Sequence, residues 1–469
     1  MLYAQLKDSA MDFVFYDLET TGVSPAYDQP LQFAAIRTDE NFLEQERIEL
    51  RCQLAPHILP SPYALAVVGI SVDQLTDPSL PTLFEFAQEL AALIKRWKPA
   101  VWTGYNSIRF DEEMLRQTFY QNLLPELFAT QIGGNQRFDI MTVVRAVAAR
   151  TRDLLSWPLD ESCNPIFALD KLAPKNGIVH ATAHDALGDV QATCQLAEKI
   201  ARGNPELWYE LLENSDKNRV QSKLDGCAPC DLVWRFEKKM PEIVTGCYCG
   251  SSTDYANHVA FFDLHAGNPS EWIEKNVQEL LDAINDKTSV IRSFAINKCP
   301  PLLRSIEVTE ETRRRAAVIE NAPEFQTRIG HALAQRFAED SMNSTKPVEK
   351  QIFDKFLSDQ DKKLLWRFQR SDWTERRIIL RQLSDPRLQQ IGRRLISFYG
   401  SEHLTRKERE RYRMYREEKF LAPESEERGW MTLERAKREL SELSQKSIIE
   451  DCRKNEIEGF LEHWASLSV

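Results

Sequence analysis

The chain has no run of about 18 apolar residues, the length a membrane-spanning helix needs. Its start, MLYAQLKDSAMDF, lacks the basic end and apolar middle of a signal peptide. Nine cysteines fall at no regular spacing, which excludes a disulfide-stapled secreted scaffold and reads them as reduced thiols. These absences make a cytoplasmic protein with no membrane partner the expectation. There is also no internal repeat and no low-complexity tract, so neither a solenoid nor a long disordered segment is indicated.

Net positive charge is missing as well. The total is -11, which at first argues against a polyanionic partner, but the excess acid is unevenly spread. Residues 1–203 carry 17 Lys/Arg against 26 Asp/Glu, whereas the remainder carries 43 against 45. An acidic first segment suits a metal-binding hydrolase, and basic residues that could track phosphates lie chiefly in the rest.

What is present is the composition of a globular protein, 42% hydrophobic and 28% charged over 469 residues, enough for several cores. Three domains are expected. In residues 1–203, FVFYDLE and LQFAAIRTD read as consecutive strands, LFEFAQELAALIKRW as an amphipathic helix, AVWTGYN as a strand and DEEMLRQTFYQNL as a helix. That mixture predicts an α/β domain with helices packed on a sheet, ending where Gly203 and Pro205 break the helix HDALGDVQATCQLAEKIA. Residues 204–342 hold strand-like EIVTGCYC and HVAFFDLH and read as α+β. SMNSTKPVEK supplies a linker over 343–350, and 351–469 reads as helical throughout.

The stretch FVFYDLETTG carries the chemistry. Asp17 and Glu19 are two apart on a strand, so both carboxylates point to one face, with no cation beside them in sequence. An acidic edge strand would explain an isolated Asp-x-Glu, but further carboxylates follow. In GYNSIRFDEEML, Asp111 lies where a strand gives way to a helix, and in AHDALGDVQATC, His184 precedes Asp189 by five residues. Four carboxylates and an imidazole on separate pieces of one domain can converge on one cleft. Such a set suits metal-assisted phosphodiester hydrolysis. Mg²⁺ takes oxygen ligands, and two ions about 4 Å apart can stabilise both the attacking and the leaving oxygen. In this reading Asp17 bridges both ions and Glu19 and Asp189 complete one site. Asp111 serves the other, largely through water, and His184 is the general base.

The motifs D-x-E-T-x-G (Asp17 to Gly22), N-x-x-x-F-D (Asn106 to Asp111) and H-x-A-x-x-D-x-x-x-T (His184 to Thr193) resemble those of the histidine-type DEDD exonucleases. With QFAAIRTD, VVGIS, NGIVHATAHDA and INKCP (Ile296 to Pro300), the text is similar to the bacterial exodeoxyribonuclease I family, clearly over residues 1–203 and more thinly over the middle segment. The resemblance implies a ribonuclease H-like exonuclease domain, a middle domain with an SH3-like barrel and an all-α C-terminal domain. It further implies processive 3′→5′ degradation of single-stranded DNA to 5′-mononucleotides with Mg²⁺, for which Mn²⁺ can substitute. Roles in recombination and repair, and binding to the single-stranded-DNA-binding protein, are implied with it. Glu19, Thr20, Thr21, Asn106 and Arg109 are the expected substrate contacts. Relatives carry an aromatic residue where this chain has Thr21.

Several features have plainer readings. Asp185, next to His184, reads as a helix cap. Glu112 and Glu113 read as solvated acids in a first helical turn, favoured there by the helix dipole. Asn106 can equally be a turn residue. Cys227 and Cys230, with Cys247 and Cys249 downstream, form a rival zinc site, although the one-residue spacing of the second pair on a strand-like stretch weighs against it. TRKERERYRMYREEK (Thr405 to Lys419) reads as a solvated helix face with i,i+4 ion pairs rather than a DNA path. Arg313 to Arg315 is ambiguous between the two, and Trp464 reads as packing of the last helix. Rival functions are an RNA-trimming relative with the same site, against which the extra 266 residues argue, and a non-catalytic scaffold, against which the intact ligand set argues. A monomer is the default.

Overall fold

The computed structural model describes residues 11–68, 70–180, 185–234, 240–286, 288–341, 346–424 and 429–466. The first strand, β1 (Asp12–Thr20), is apolar on both faces. Val14, Tyr16 and Leu18 enter one hydrophobic core, and Phe13 and Phe15 enter another. A strand buried on both sides belongs in the middle of a sheet covered by helices on each face. Two antiparallel strands follow, β2 (Pro30–Thr38) and β3 (Glu44–Arg51), and then two that run parallel to β1, β4 (Ala100–Gly104) and β5 (Gln136–Asp139). The sheet order is β3-β2-β1-β4-β5, which puts the Asp-x-Glu strand at its centre.

The helices that frame this sheet in chain order are α1 (Pro62–Val68), α2 (Leu83–Arg96), α3 (Asp111–Gln121), α4 (Ile140–Arg150) and α5 (Ala186–Gly203). α2 opens on a capping box, Thr82 with Glu85, and buries Phe86, Leu90 and Leu93 against the core of Val14 and Tyr16. α5 buries Ala186, Val190 and Leu196 on the opposite face, with Phe13 and Phe15. After Asn204 a new helix begins at Pro205, the break expected from the sequence.

A second sheet follows, fully antiparallel: β6 (Cys230–Trp234), β7 (Glu242–Ser251), β8 (His258–Asp263), β9 (Ile291–Ala295) and β10 (Leu302–Arg304), in the order β10-β6-β7-β8-β9. Cys227, Cys247 and Cys249 line one of its cores and Cys230 another. Burial pushes the thiols up, to about 11 for Cys227 and about 12 for Cys230, and among the described residues the four cysteines supply no group of three donors within 4.8 Å of one another. These cysteines therefore pack as small apolar side chains.

Of the expected linker, residues 343–345 lie outside the described residues. Residues 348–351 form a short 3-10 turn against α3, where Tyr120 Oη donates to Val348 O at 3.0 Å and Gln117 Nε2 to Glu349 O at 3.0 Å. From Asp359 the described residues are helical with short connections, including α6 (Arg406–Leu421), α7 (Leu433–Gln445) and α8 (Asp451–Ser466). The last two return to the first sheet. Ala436, Leu440, Ile457 and Leu461 share a core with Val14, Tyr16 and Leu18, and Trp464 Nε1 donates to Ile58 O at 2.9 Å.

The basic stretch Thr405 to Lys419 divides by face. Arg413 pairs with Glu410 at 2.7 Å and with Glu417 at 2.5 Å in solvent, as expected, while Tyr412, Arg416 and Lys419 are buried. Arg315 is likewise structural, donating to Leu264 O at 2.7 Å and Gly267 O at 3.1 Å.

Candidate active site

Strand alternation places Asp17 and Glu19 on the face of β1 that Phe13 and Phe15 occupy, beyond the apolar part of the strand. α5 covers that face, and Asp189 stands in its first turn. Oxygens of Asp17, Glu19 and Asp189 consequently lie within 4.8 Å of one another. This is the one group of three or more His, Cys, Asp or Glu donors so placed among the described residues. Asp185 caps α5, accepting from Gly188 N, and also receives Gln32 Nε2 at 3.0 Å, so the helix entry is tied to β2.

Asp111 reaches the same strand from the other side. It begins α3, is 3% exposed, and accepts from Leu18 N, the residue between Asp17 and Glu19, at 3.2 Å. The approach requires Gly104 at the end of β4, since a Cβ there would sit 2.5 Å from Tyr16 O. The intervening turn has Asn106 at φ 64 and is held by Asp139, which accepts from Asn106 N at 3.3 Å, Ile108 N at 3.2 Å and Thr142 N at 3.2 Å. Asn106 is thus the turn residue of the plainer reading, and Arg109 in the same turn is exposed.

The electrostatics are those of crowded, buried acid. Burial first, then Asp111, Glu19 and Asp189, hold the Asp17 carboxyl well above its ordinary range. Glu19 is pushed up to about 8 by burial and then by Asp189 and Asp111. Burial likewise carries Asp111 to about 8. The leading influences on Asp17 and Glu19 all oppose ionisation, and none is a cation. An all-oxygen donor set of this kind fits a hard divalent cation. Asp17, Glu19 and Asp189 would hold the ion.

His184 lies outside the described residues. The histidine that meets Asp189 here is His180, whose Nε2 hydrogen-bonds Asp189 Oδ1 and whose side chain is buried. The motif reading did not single it out, although it stands in the same NGIVHATAHDA segment. Two expectations need correction. Glu112 is not solvated: it is 1% exposed, accepts from Tyr16 Oη at 3.1 Å and pairs with Arg116 at 3.0 Å, so the second acid of the Asp-Glu-Glu run belongs to the core. Glu113, half-buried, also pairs with Arg116, at 2.7 Å. Nor is the Thr21 side chain placed for substrate. It is fully buried, and its hydroxyl donates to Asp28 Oδ1 at 2.9 Å, while Thr20 Oγ1 donates to Gly22 O at 2.8 Å. Asp139 and Asp28, which hold the two flanking turns, were missed. Asp139 carried the signal of an N-cap acid at a strand-to-helix junction.

Comparison with known proteins bears on this geometry. Residues 14–197 match the family model described as Exonuclease, and residues 346–467 match that of the Exonuclease I C-terminal domain. Exodeoxyribonuclease I of Haemophilus influenzae is 30% identical over 448 residues, 87% of this chain and 90% of the relative. Among solved structures, E. coli exonuclease I in complex with a dT13 oligonucleotide superposes with a TM-score of 0.82 at 25% identity, covering 98% of this chain and 100% of that one. A structure of SSB/exonuclease I with an inhibitor superposes at 0.81 and 24% identity over 98% and 100%, a likeness of fold. A ribonuclease H-like exonuclease sheet, carboxylates grouped at its central strand and a relative matched over nine-tenths of its length agree, and the chain belongs to the exodeoxyribonuclease I family.

Proposed function

We propose that this protein is a divalent-metal-dependent exonuclease that degrades single-stranded DNA from the 3′ end and releases 5′-mononucleotides. The observation that carries the reading is the cluster of Asp17, Glu19 and Asp189 with oxygens within 4.8 Å, on the face of a central strand, where burial and the neighbouring carboxylates push Asp17 and Glu19 up. Membership of the family supports DNA as the substrate.

In this reading Asp17, Glu19 and Asp189 would hold one Mg²⁺, and Asp17 and Asp111 would serve a second. Mn²⁺ can substitute. Bound divalent ions would lower the pKa of attacking water and offset charge on the leaving oxygen. The chain's own residues do the rest. His184 accepts the proton of the attacking water, and Asp111, fixed by Leu18 N, holds the α3 side of the cleft against β1. Asn106 and Arg109 remain candidate substrate contacts, Arg109 as an exposed cation for a phosphate.

The domain scheme belongs to the same proposal: an exonuclease domain over 1–203, an SH3-like middle domain over 204–342, a linker over 343–350 and an all-α domain over 351–469. The fully antiparallel second sheet is compatible with a small barrel. A monomeric cytoplasmic enzyme of DNA repair and recombination, partnered by the single-stranded-DNA-binding protein, completes the reading. The test uses 5′-labelled single-stranded DNA and RNA, with Mg²⁺ or with chelator. A ladder shortening from the 3′ end on DNA alone, absent with chelator, is expected; preferential loss of RNA would move the enzyme to RNA trimming, and binding without cleavage would revive the scaffold.

A further inference from the structure

An exonuclease that ignores sequence must hold the terminal nucleotide without reading its hydrogen-bonding edge, and base stacking on an aromatic ring does this because every base has a π-face. The turn that follows Glu19 offers no such ring. Thr20 and Thr21 are buried with their hydroxyls engaged, Gly22 has no side chain, and Val23, 83% exposed, is only aliphatic. The nearest element bonded to that turn is the start of α1, where Ser61 N donates to Thr21 O at 2.8 Å. α1 is fixed there from a second side, because Ser61 Oγ donates to Glu439 Oε2 of α7 at 2.8 Å. Leu65 of α1 is 1% exposed in the core, and Tyr63, two residues before it and so on nearly the opposite side of the helix, is 56% exposed.

Tyr63 makes no hydrogen bond or ring contact with the described residues. Other exposed aromatic rings differ in this respect or in place. Phe353 already stacks on Phe128 with centroids 6.3 Å apart, Tyr255 packs edge-on against His258, and Phe356 stands on a loop whose Lys355 O is held by Arg387 of the C-terminal helices. A large ring left in solvent on a rigidly anchored helix, beside the turn that leaves the carboxylate strand, is positioned for a flat partner.

We propose that Tyr63 is a nucleobase-stacking residue that takes the 3′-terminal base of single-stranded DNA while the adjoining phosphate lies at Asp17 and Glu19. The inference rests on the exonuclease reading above and assigns a substrate-positioning residue to it. Stacking of this kind contributes affinity for any base and none for a sugar that lacks one.

The test compares the wild type, Tyr63→Ala and Tyr63→Phe on oligonucleotides ending in a normal or an abasic 3′ nucleotide. For the normal end, Tyr63→Ala should raise KM roughly 5- to 100-fold, with Tyr63→Phe close to the wild type. On the abasic end, all three proteins should perform alike, and an unchanged melting temperature would exclude a folding defect at this exposed position. Equal performance of Tyr63→Ala and the wild type on the normal end would overturn the proposal, as would an equal penalty on both ends. If the wild type fails to shorten either substrate from the 3′ end, the exonuclease reading falls and this inference with it.

Discussion

Replacing Glu19 with glutamine should make the metal-free protein more stable while abolishing its hydrolysis. Glu19 stands at about 8, against about 4.5 for an ordinary glutamate, because burial and its carboxylate neighbours oppose its charge. Between those values the folded state binds more protons than the unfolded chain. Stability is therefore fully present below pH 4.5 and is lost as pH rises through about 8. At about 1.4 kcal/mol per pKa unit, the burden relative to a neutral isostere reaches an upper bound of about 3 kcal/mol at pH 7. Repulsion of that order is reasonable, since two unit charges 4.8 Å apart interact by about 3 kcal/mol at an effective dielectric of about 20. For a domain of about 200 residues, even half of that corresponds to a rise of roughly 3–6 °C. Differential scanning calorimetry in chelator should show the variant melting higher at pH 7–8, with the gap closing toward pH 4. Mg²⁺ should raise the wild type and not the variant. A variant that melts lower than the wild type, or a gap that does not change with pH, would refute the argument that crowded, buried charge is stored at this site.

Other outcomes follow from the same geometry. His184→Ala should lower turnover by roughly 10²- to 10⁴-fold, the usual worth of a general base, and an unchanged rate would remove that role. Gly104→Ala puts a methyl group 2.5 Å from Tyr16 O, backbone that cannot swing aside, and should destabilise by about 1–3 kcal/mol, read as an earlier denaturation midpoint. Leu440→Ala opens the core that α7 shares with β1 and should cost about 2–5 kcal/mol, with the exonuclease sheet and not only the C-terminal helices losing protection from hydrogen exchange.

Local pattern was enough to read β1, its neighbours and the carboxylates on them. FVFYDLE is a short apolar run ending in Asp-Leu-Glu, its two acids share a parity with Phe13 and Phe15, and Asp189 falls in the helix turn that covers that face. What the sequence hid depends on distant partners. Glu112 looked like a solvated acid in a first helical turn, yet Tyr16, 96 positions away, and Arg116, one turn on, bury it. Thr21 was an expected substrate contact, but Asp28 folds back under it and takes its hydroxyl. The return of Leu440 and Leu461 to the first core is a matter of tertiary path, and amphipathic periodicity says only that such helices must cover something. His180 illustrates a different limit. Two histidines four residues apart cannot be ranked by spacing alone, and it is His180 that meets Asp189 among the described residues.

The central claim is that Asp17, Glu19 and Asp189 form the metal centre at which hydrolysis occurs. Its most direct test is anomalous diffraction from crystals grown with Mn²⁺, read beside cleavage by the Asp17→Ala variant. The account predicts an anomalous peak bounded by those three carboxylates, absent in Asp17→Ala, with the variant unable to cleave yet still binding single-stranded DNA in chelator. Mn²⁺ bound elsewhere with this cluster empty, or a variant that cleaves at the wild-type rate, would contradict it.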